Sequence, residues 1–271
     1  MQHKNQEPPP RLSDLGTDLL RVTMLQQVFT VGAPFVFAAL FFYAGFTGHP
    51  VVAVLATVFL SFITYGSTSH DLVHRNLGLP PRINEVFLSL IELIALRSGH
   101  AYRAAHLYHH AQFPAGDDIE AAAAKRTFFG ALLDGTTFHL RLYFWALRRA
   151  RGIERRIILG EGIAVAVLYL VAIAMVKLSI VPLVYAALMT CGAWITPLVT
   201  SYVPHNASGN SQLEQTRLFR GRVLSLIALE HLYHLEHHLY PAVPHQNWVR
   251  LAKRLDPYFE RQQVKVKRLW F

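Results

Sequence analysis

Along this chain the apolar residues gather in blocks, and charged residues collect in the stretches between them. Four blocks, residues 25–46, 51–67, 157–176 and 180–203, are candidate membrane spans. A helix rising about 1.5 Å per residue crosses the roughly 30 Å hydrocarbon core in about twenty residues, so the second block only barely suffices. Gly48, His49 and Pro50 separate the first two blocks, and Lys177, Leu178 and Ser179 separate the last two. The pattern predicts two tight hairpins with both chain termini on one side.

The intervening stretches carry helical patterns of their own. Residues 83–96 are apolar but too short to cross, which predicts a helix lying in the interface or re-entering it. Residues 128–151 mix Phe, Leu and Trp145 with Arg141, Arg148, Arg149 and Arg151, as an interfacial amphipathic helix does. Residues 223–229 lead into the last of three histidine clusters. Beyond Pro241 and Pro244, the tail sets Trp248, Leu251, Leu255, Tyr258 and Phe259 against Lys253, Arg254 and Arg261, again as a surface-lying helix. The fold class expected is an all-α integral membrane protein: four transmembrane helices in two hairpins, with a helical cap. Residues 1–24 read as a polar tail in which Pro8, Pro9 and Pro10 are disordered, residues 25–260 as the membrane domain, and residues 261–271 as a basic tail.

Composition agrees, with 52% hydrophobic and only 16% charged residues. Of 26 Lys and Arg, 25 lie before the first block, between the hairpins or after the fourth block; Lys177 is the exception. By the positive-inside rule those stretches are cytoplasmic. The formal charge of +9 is then a basic surface facing anionic headgroups and an acidic protein partner, and no motif favours nucleic acid. The polar start lacks the pattern of a signal peptide. A single cysteine, Cys191, excludes an internal disulfide and any cysteine-ligated zinc or iron–sulfur centre. The sequon at Asn206–Ser208 falls on the cytoplasmic side and is read as chance.

The candidate chemistry lies in the histidines. His70 and His74, then His106, His109 and His110, then His234, His237 and His238 account for eight of the fifteen. Residues three and four apart share a helix face, so each cluster can aim two or three imidazoles at one point. Eight nitrogens exceed the six that an octahedral ion takes, so the pattern asks for two metals. All three clusters fall on the side assigned as cytoplasmic, although the topology was derived without them. His205, just beyond the fourth block, is a ninth candidate at the same depth. Imidazole suits several metals. Structural zinc would be overfilled, the spacing matches no zinc protease, and haem would want histidines within the spans. Two irons with open positions for oxygen fit best, since breaking an unactivated C–H bond needs an oxidant that no side chain provides.

These three boxes, the hairpins, and the Tyr202-Val203-Pro204-His205 run resemble the membrane fatty acid desaturase/hydroxylase superfamily, which also contains carotenoid ketolases and hydroxylases. The resemblance runs from about Leu25 to Tyr258. It implies a non-haem di-iron centre, O2 as co-substrate, and desaturation, hydroxylation or ketone formation on a lipid. It also implies His70, His74, His106, His109, His110, His205, His234, His237 and His238 as iron ligands. Ligand histidines usually give their second N–H to a carboxylate or carbonyl, and Asp71 and Glu236 are the preferred candidates for that role. Glu120 is a third nearby acid, and Asp117 and Asp118 read as a solvated turn after Pro114 and Gly116. Glu161 reaches the interface or marks a functional intramembrane acid. His231 reads as a residue behind the ligands or at the surface, His100 and His245 as residues that orient ligands or substrate, and His3, His49 and His139 as solvent or headgroup contacts.

No haem, flavin or nicotinamide fingerprint is present, so electrons must come from an external donor, a ferredoxin or small cytochrome with its reductase. Fatty acyl chains are the first-choice substrate, because residues 238–248 look most like desaturases. Carotenoid ketolase or hydroxylase is the alternative, since a first box beginning His70-Asp71, the run ending in His205 and the run from His234 to Pro241 also resemble bacterial ketolases. A histidine-rich metal transporter is a third reading, but transport wants ligands at mid-membrane and these lie at one face. The location expected is the bacterial cytoplasmic membrane, with the active site and both termini cytoplasmic.

Overall fold

A computed structural model describes residues 7–113, 117–221 and 232–269. The chain is mostly helical, and four helices are long and apolar enough to cross a membrane: Thr17–Phe46, Pro50–His74, Gly152–Lys177 and Val181–Tyr202. Each overlaps a block predicted from the sequence. The helix Met24–Phe46 starts where Thr23 accepts from the backbone of Gln26 and Gln26 answers in a reciprocal capping box. Pro50 opens the second helix at a position where its missing N–H costs nothing. Ala38, Phe41 and Ala44 pack on Ala53, Ala56 and Leu60, with Tyr185 and Met189 of the fourth span completing the cluster. Small side chains at such a contact let backbones approach closely in lipid. Val28, Phe29, Val36, Leu55, Val58, Ile163 and Leu170 are exposed, as lipid-facing positions are.

Two departures from regular helix matter for the site. Residues Thr64–Thr68 form a widened π turn, after which the helix resumes as Ser69–His74 and stops at Arg75, whose φ is +58°. The second span therefore runs past the expected end at residue 67 and carries His70 and His74 itself. The fourth span, expected as one helix, is regular only over Val181–Gly192; a 3₁₀ turn Ala193–Ile195 and a second π turn Leu198–Tyr202 follow. Pro197 is the cause, since it has no N–H for the carbonyl of Ala193 four residues earlier. Instead, the ring of His139 hydrogen-bonds that backbone. His139 is thus a half-buried cross-link rather than the solvent or headgroup contact expected of it. Burial, then the charge of Arg97, holds its ring well below the ordinary histidine value.

Between the second and third spans lie the helices Pro81–Ile94, Gly99–Gln112 and Phe128–Arg149. Gly135 lets the last of these meet the fourth span, because a Cβ there would overlap the carbonyl of Trp194. Phe128, Phe129, Leu133 and Leu140 stay exposed on its other side. Glu161 in the third span is buried, accepting from Ser89 and Ser98 hydroxyls at 2.6 Å each and from the backbone of His100 at 3.1 Å. It pins the third span to the two helices that approach the site.

The two ends of the chain differ most from expectation. Helix Trp248–Arg261 buries its apolar face on Leu19, Leu218, Tyr233, Leu235, Tyr240 and Val243, so its partner is protein rather than a lipid surface. Residues 7–21, read as part of a polar tail with a disordered proline run, are strapped across that helix. The Tyr258 hydroxyl donates to the Glu7 carbonyl at 2.9 Å and the Tyr240 hydroxyl to the Pro10 carbonyl at 2.5 Å. Arg254 holds Asp18 with two bonds of 2.7 and 2.9 Å. An extended proline run leaves its carbonyls unpaired, so tyrosine hydroxyls can dock it. A parallel pair of strands, Leu218–Gly221 with Val266–Leu269, adds a β element to the expected all-α fold, in segments too short for alternation to show. The expected helix leading into the third box, 223–229, lies outside the described residues.

Candidate metal centre

Each histidine box sits on its own short stretch of helix. The first is on Ser69–His74, the second on Gly99–Gln112, capped by Ser98, and the third on His234–Leu239. His205 follows the π turn that ends the fourth span. Nine imidazoles meet in two groups. His70, His74, His106, His110 and His237 form one; His109, His205, His234 and His238 form the other, and the ring nitrogens within each group lie within 4.8 Å of one another. The doublets His109–His110 and His237–His238 each send one ring to either group, as neighbours about 100° apart on a helix must. Ring centroids of His110 and His238 lie 4.5 Å apart, so the two groups are contiguous.

The spacing is compatible with a coordination shell. Nε2 of His70 lies 3.0 Å from Nε2 of His237, and Nε2 of His110 lies 3.2 and 2.7 Å from those of His106 and His237. In the second group Nε2 of His205 lies 3.0, 3.1 and 3.2 Å from those of His109, His234 and His238. Imidazole nitrogens bound at about 2.1 Å in adjacent octahedral positions stand about 3.0 Å apart.

Proton placement argues the same way. Nδ1–H of His106 donates to Glu120 at 2.9 Å, that of His109 to Asp118 at 2.7 Å, and that of His205 to the Ser201 carbonyl at 3.0 Å. A neutral ring protonated at Nδ1 offers only a lone pair at Nε2. With both Nδ1 atoms so engaged, Nε2 of His109 and Nε2 of His205 face each other across 3.0 Å, an arrangement that suits a shared cation. Burial, then the neighbouring rings, holds His106, His110, His205, His237 and His238 well below the ordinary histidine value. Neutral imidazole is the form that ligates metal.

The carboxylates behind the rings are not the ones preferred from sequence. Asp71 is buried but accepts from the backbone and Nδ1 of His245, at 3.2 and 2.6 Å. Glu236 is buried against Arg220, 2.6 Å away. One residue from His70, and one from His237, each carboxylate projects from a different side of its helix than the ligand rings. Asp118 and Glu120 take the role instead. Oδ1 of Asp118 caps the turn by accepting from the backbone of Glu120 and Ala121 at 3.0 and 3.1 Å, which frees Oδ2 for His109. Burial, then Asp118, pushes the Glu120 carboxyl well up. Three acids within eleven residues of His109 were the available signal. Asp117 is exposed, as expected, and pairs with Arg149 and the Tyr108 hydroxyl.

The other histidines lie apart from the two groups. His100 is buried between Glu161 and Glu85, at 2.8 and 3.0 Å. His245 is held by Asp71, and His49 is exposed in the turn between the first two spans. His3 and His231 lie outside the described residues. Trp248, which the sequence placed only on an amphipathic tail, is buried with its ring centroid 5.3 Å from that of His70 and 5.1 Å from that of His237. It seals the first group from below.

Beside the histidine groups lies a cavity of about 390 Å³, bordered by the second, third and fourth spans, the segment 92–98 and the helices Gly99–Gln112 and Phe128–Arg149. Leu140, Phe144, Val165 and Met189 give it a mainly apolar wall. Tyr65 and Tyr102, stacked with centroids 4.9 Å apart, also line a small pocket shared with His70, His106, His109 and His234. The two tyrosines stand between the cavity and the histidines.

A family model described as Fatty acid desaturase matches residues 44–270. The chain belongs to the fatty acid desaturase family. Membership makes it a lipid desaturase-type oxidoreductase, and the four apolar helices suit a membrane protein. None of the curated proteins matches the chain.

Proposed function

We propose that this desaturase-family chain holds two iron ions and uses O2 to introduce double bonds into fatty acyl chains at the cytoplasmic face of a bacterial membrane. The observation that carries this reading is the convergence of nine imidazoles in contiguous groups of five and four, with nitrogen spacings suited to octahedral ions. Neither group fills six positions, which suits a catalytic rather than a structural ion. Bound iron would supply the reduction of O2 and the removal of hydrogen from an unactivated C–H bond.

The chain's own residues do the rest. Asp118, Glu120 and the Ser201 carbonyl fix which nitrogen of three rings faces inward. The cavity walls exclude water and align a chain toward the Tyr65–Tyr102 partition, so that position rather than intrinsic reactivity selects the carbon attacked. Desaturation consumes one O2, two electrons and two protons and releases two waters. The electrons require an external carrier, and an acidic ferredoxin or small cytochrome suits the basic surface. Ligands gathered at the span ends, rather than strung along the route across, favour this over metal transport.

The test is expression in two hosts, one of them carotenoid-producing, with a ferredoxin system supplied. New acyl double bonds that require O2 are expected in both. Unchanged acyl chains beside keto or hydroxy pigments would overturn the acyl reading in favour of the carotenoid one.

A further inference from the structure

The wall of the cavity beside the histidines is not uniformly apolar. Arg97 and Glu92 both line it, as an ion pair in which Arg97 Nε lies 2.9 Å and Nη2 3.0 Å from the carboxylate. Glu92 is fully buried and also accepts from the Ser69 hydroxyl at 2.5 Å. The guanidinium carbon stands 5.1 Å from the ring centroid of Tyr65, so the pair sits at the end of the cavity closed by the Tyr65–Tyr102 partition. A guanidinium has five N–H donors. Nη2 donates to Glu92 and Thr64, Nε stands in the ion pair at 2.9 Å without a hydrogen bond, and no hydrogen bond joins Nη1 to the described residues. The Arg97 side chain is 10% exposed and borders this cavity as well as a smaller pocket toward Ser61 and Gly192.

An apolar channel for a bare hydrocarbon gains nothing from a desolvated donor next to the reacting carbon, since an unpaired buried donor is costly. We propose that Arg97 Nη1 recognises a neutral oxygen on the lipid, a carbonyl or hydroxyl lying within a few bonds of the carbon attacked. The oxygen is neutral because Glu92 already balances the Arg97 charge; a carboxylate would leave a net negative charge buried in the cavity. Specificity follows from the same asymmetry. A site built to hydrogen-bond an oxygen discriminates strongly against the analogue that lacks it. This inference rests on the cavity being the substrate site of the proposed desaturase.

Binding of matched probes to the iron-loaded protein in lipid nanodiscs tests it without turnover or an electron donor. The probes are a long-chain alkane, the 2-ketone of the same length, and the corresponding carboxylate. Wild type is expected to bind the ketone roughly tenfold or more tighter than the alkane, with the carboxylate weaker than the ketone. Arg97→Lys keeps the pairing with Glu92 but loses the spare planar nitrogen, and should reduce the ketone preference to near parity. The double variant Arg97→Met with Glu92→Leu removes both charges together and should do the same if the single variant folds poorly. Equal binding of ketone and alkane by wild type, a preference for the carboxylate, or a ketone preference retained in the folded variants would overturn the inference. Iron measured on the same samples separates this from failure of the metal-centre reading, which would show as iron-free protein.

Discussion

Replacing His110 or His238 with alanine is expected to abolish activity, by more than about a thousandfold, and to lower bound iron in the purified protein. His110 belongs to the group of five and His238 to the group of four, so the pair of variants probes each metal position separately. Both rings are neutral and point Nε2 at other Nε2 atoms, 2.7 Å away for His110 with His237 and 3.1 Å for His238 with His234. No other side chain among the described residues shares those positions, so neither loss is made good locally. His49→Ala, in the exposed turn between the first two spans, is the control that should keep both iron and activity. Full activity in either ligand variant would remove that residue from the metal shell. Activity lost with iron unchanged would mean that the ring serves the substrate instead.

Asp118→Asn is expected to weaken iron binding by about 10–100-fold while leaving the fold intact. Asn keeps the Oδ1 that caps the turn at Glu120 and Ala121, so the backbone stays where it is. Its amide nitrogen replaces Oδ2 and presents a donor to His109 Nδ1, now 2.7 Å from the carboxylate. The ring must then move its proton to Nε2, the atom that faces the other imidazoles, and a protonated nitrogen cannot bind metal. Iron titration monitored beside the thermal midpoint checks both halves. Loss of affinity with a midpoint within a few degrees of wild type is the expected result. Unchanged affinity would show that Asp118 only caps the turn. Asp71→Asn is the informative contrast, because that carboxylate accepts from the backbone and ring of His245, and it should leave affinity largely unaltered.

What the sequence made legible, and what it hid, divides along physical lines. The four spans could be read because a bilayer demands long apolar runs, and the histidines because a helix forces spacings of three and four on converging ligands. Asp118 and Glu120 were hidden because the turn that aims them is specified by backbone contacts of Asp118 itself, not by any periodic pattern. Asp71 and Glu236 drew attention by adjacency, yet adjacency on a helix places a side chain on a different face. The two π turns before His70 and His205 leave no compositional mark beyond Pro197, although they set the rotation of the ligands that follow. The strap of residues 7–21 depends on Tyr240 and Tyr258, more than two hundred positions away, and contacts at that range carry no local signal.

Counting the metal tests the central claim most directly. Protein produced in iron-replete medium and purified without chelators should carry two irons per chain, and X-ray absorption at the iron edge should show a shell of imidazole nitrogens at about 2.1 Å. A single iron per chain, or zinc in its place with no iron under the same conditions, would contradict the account.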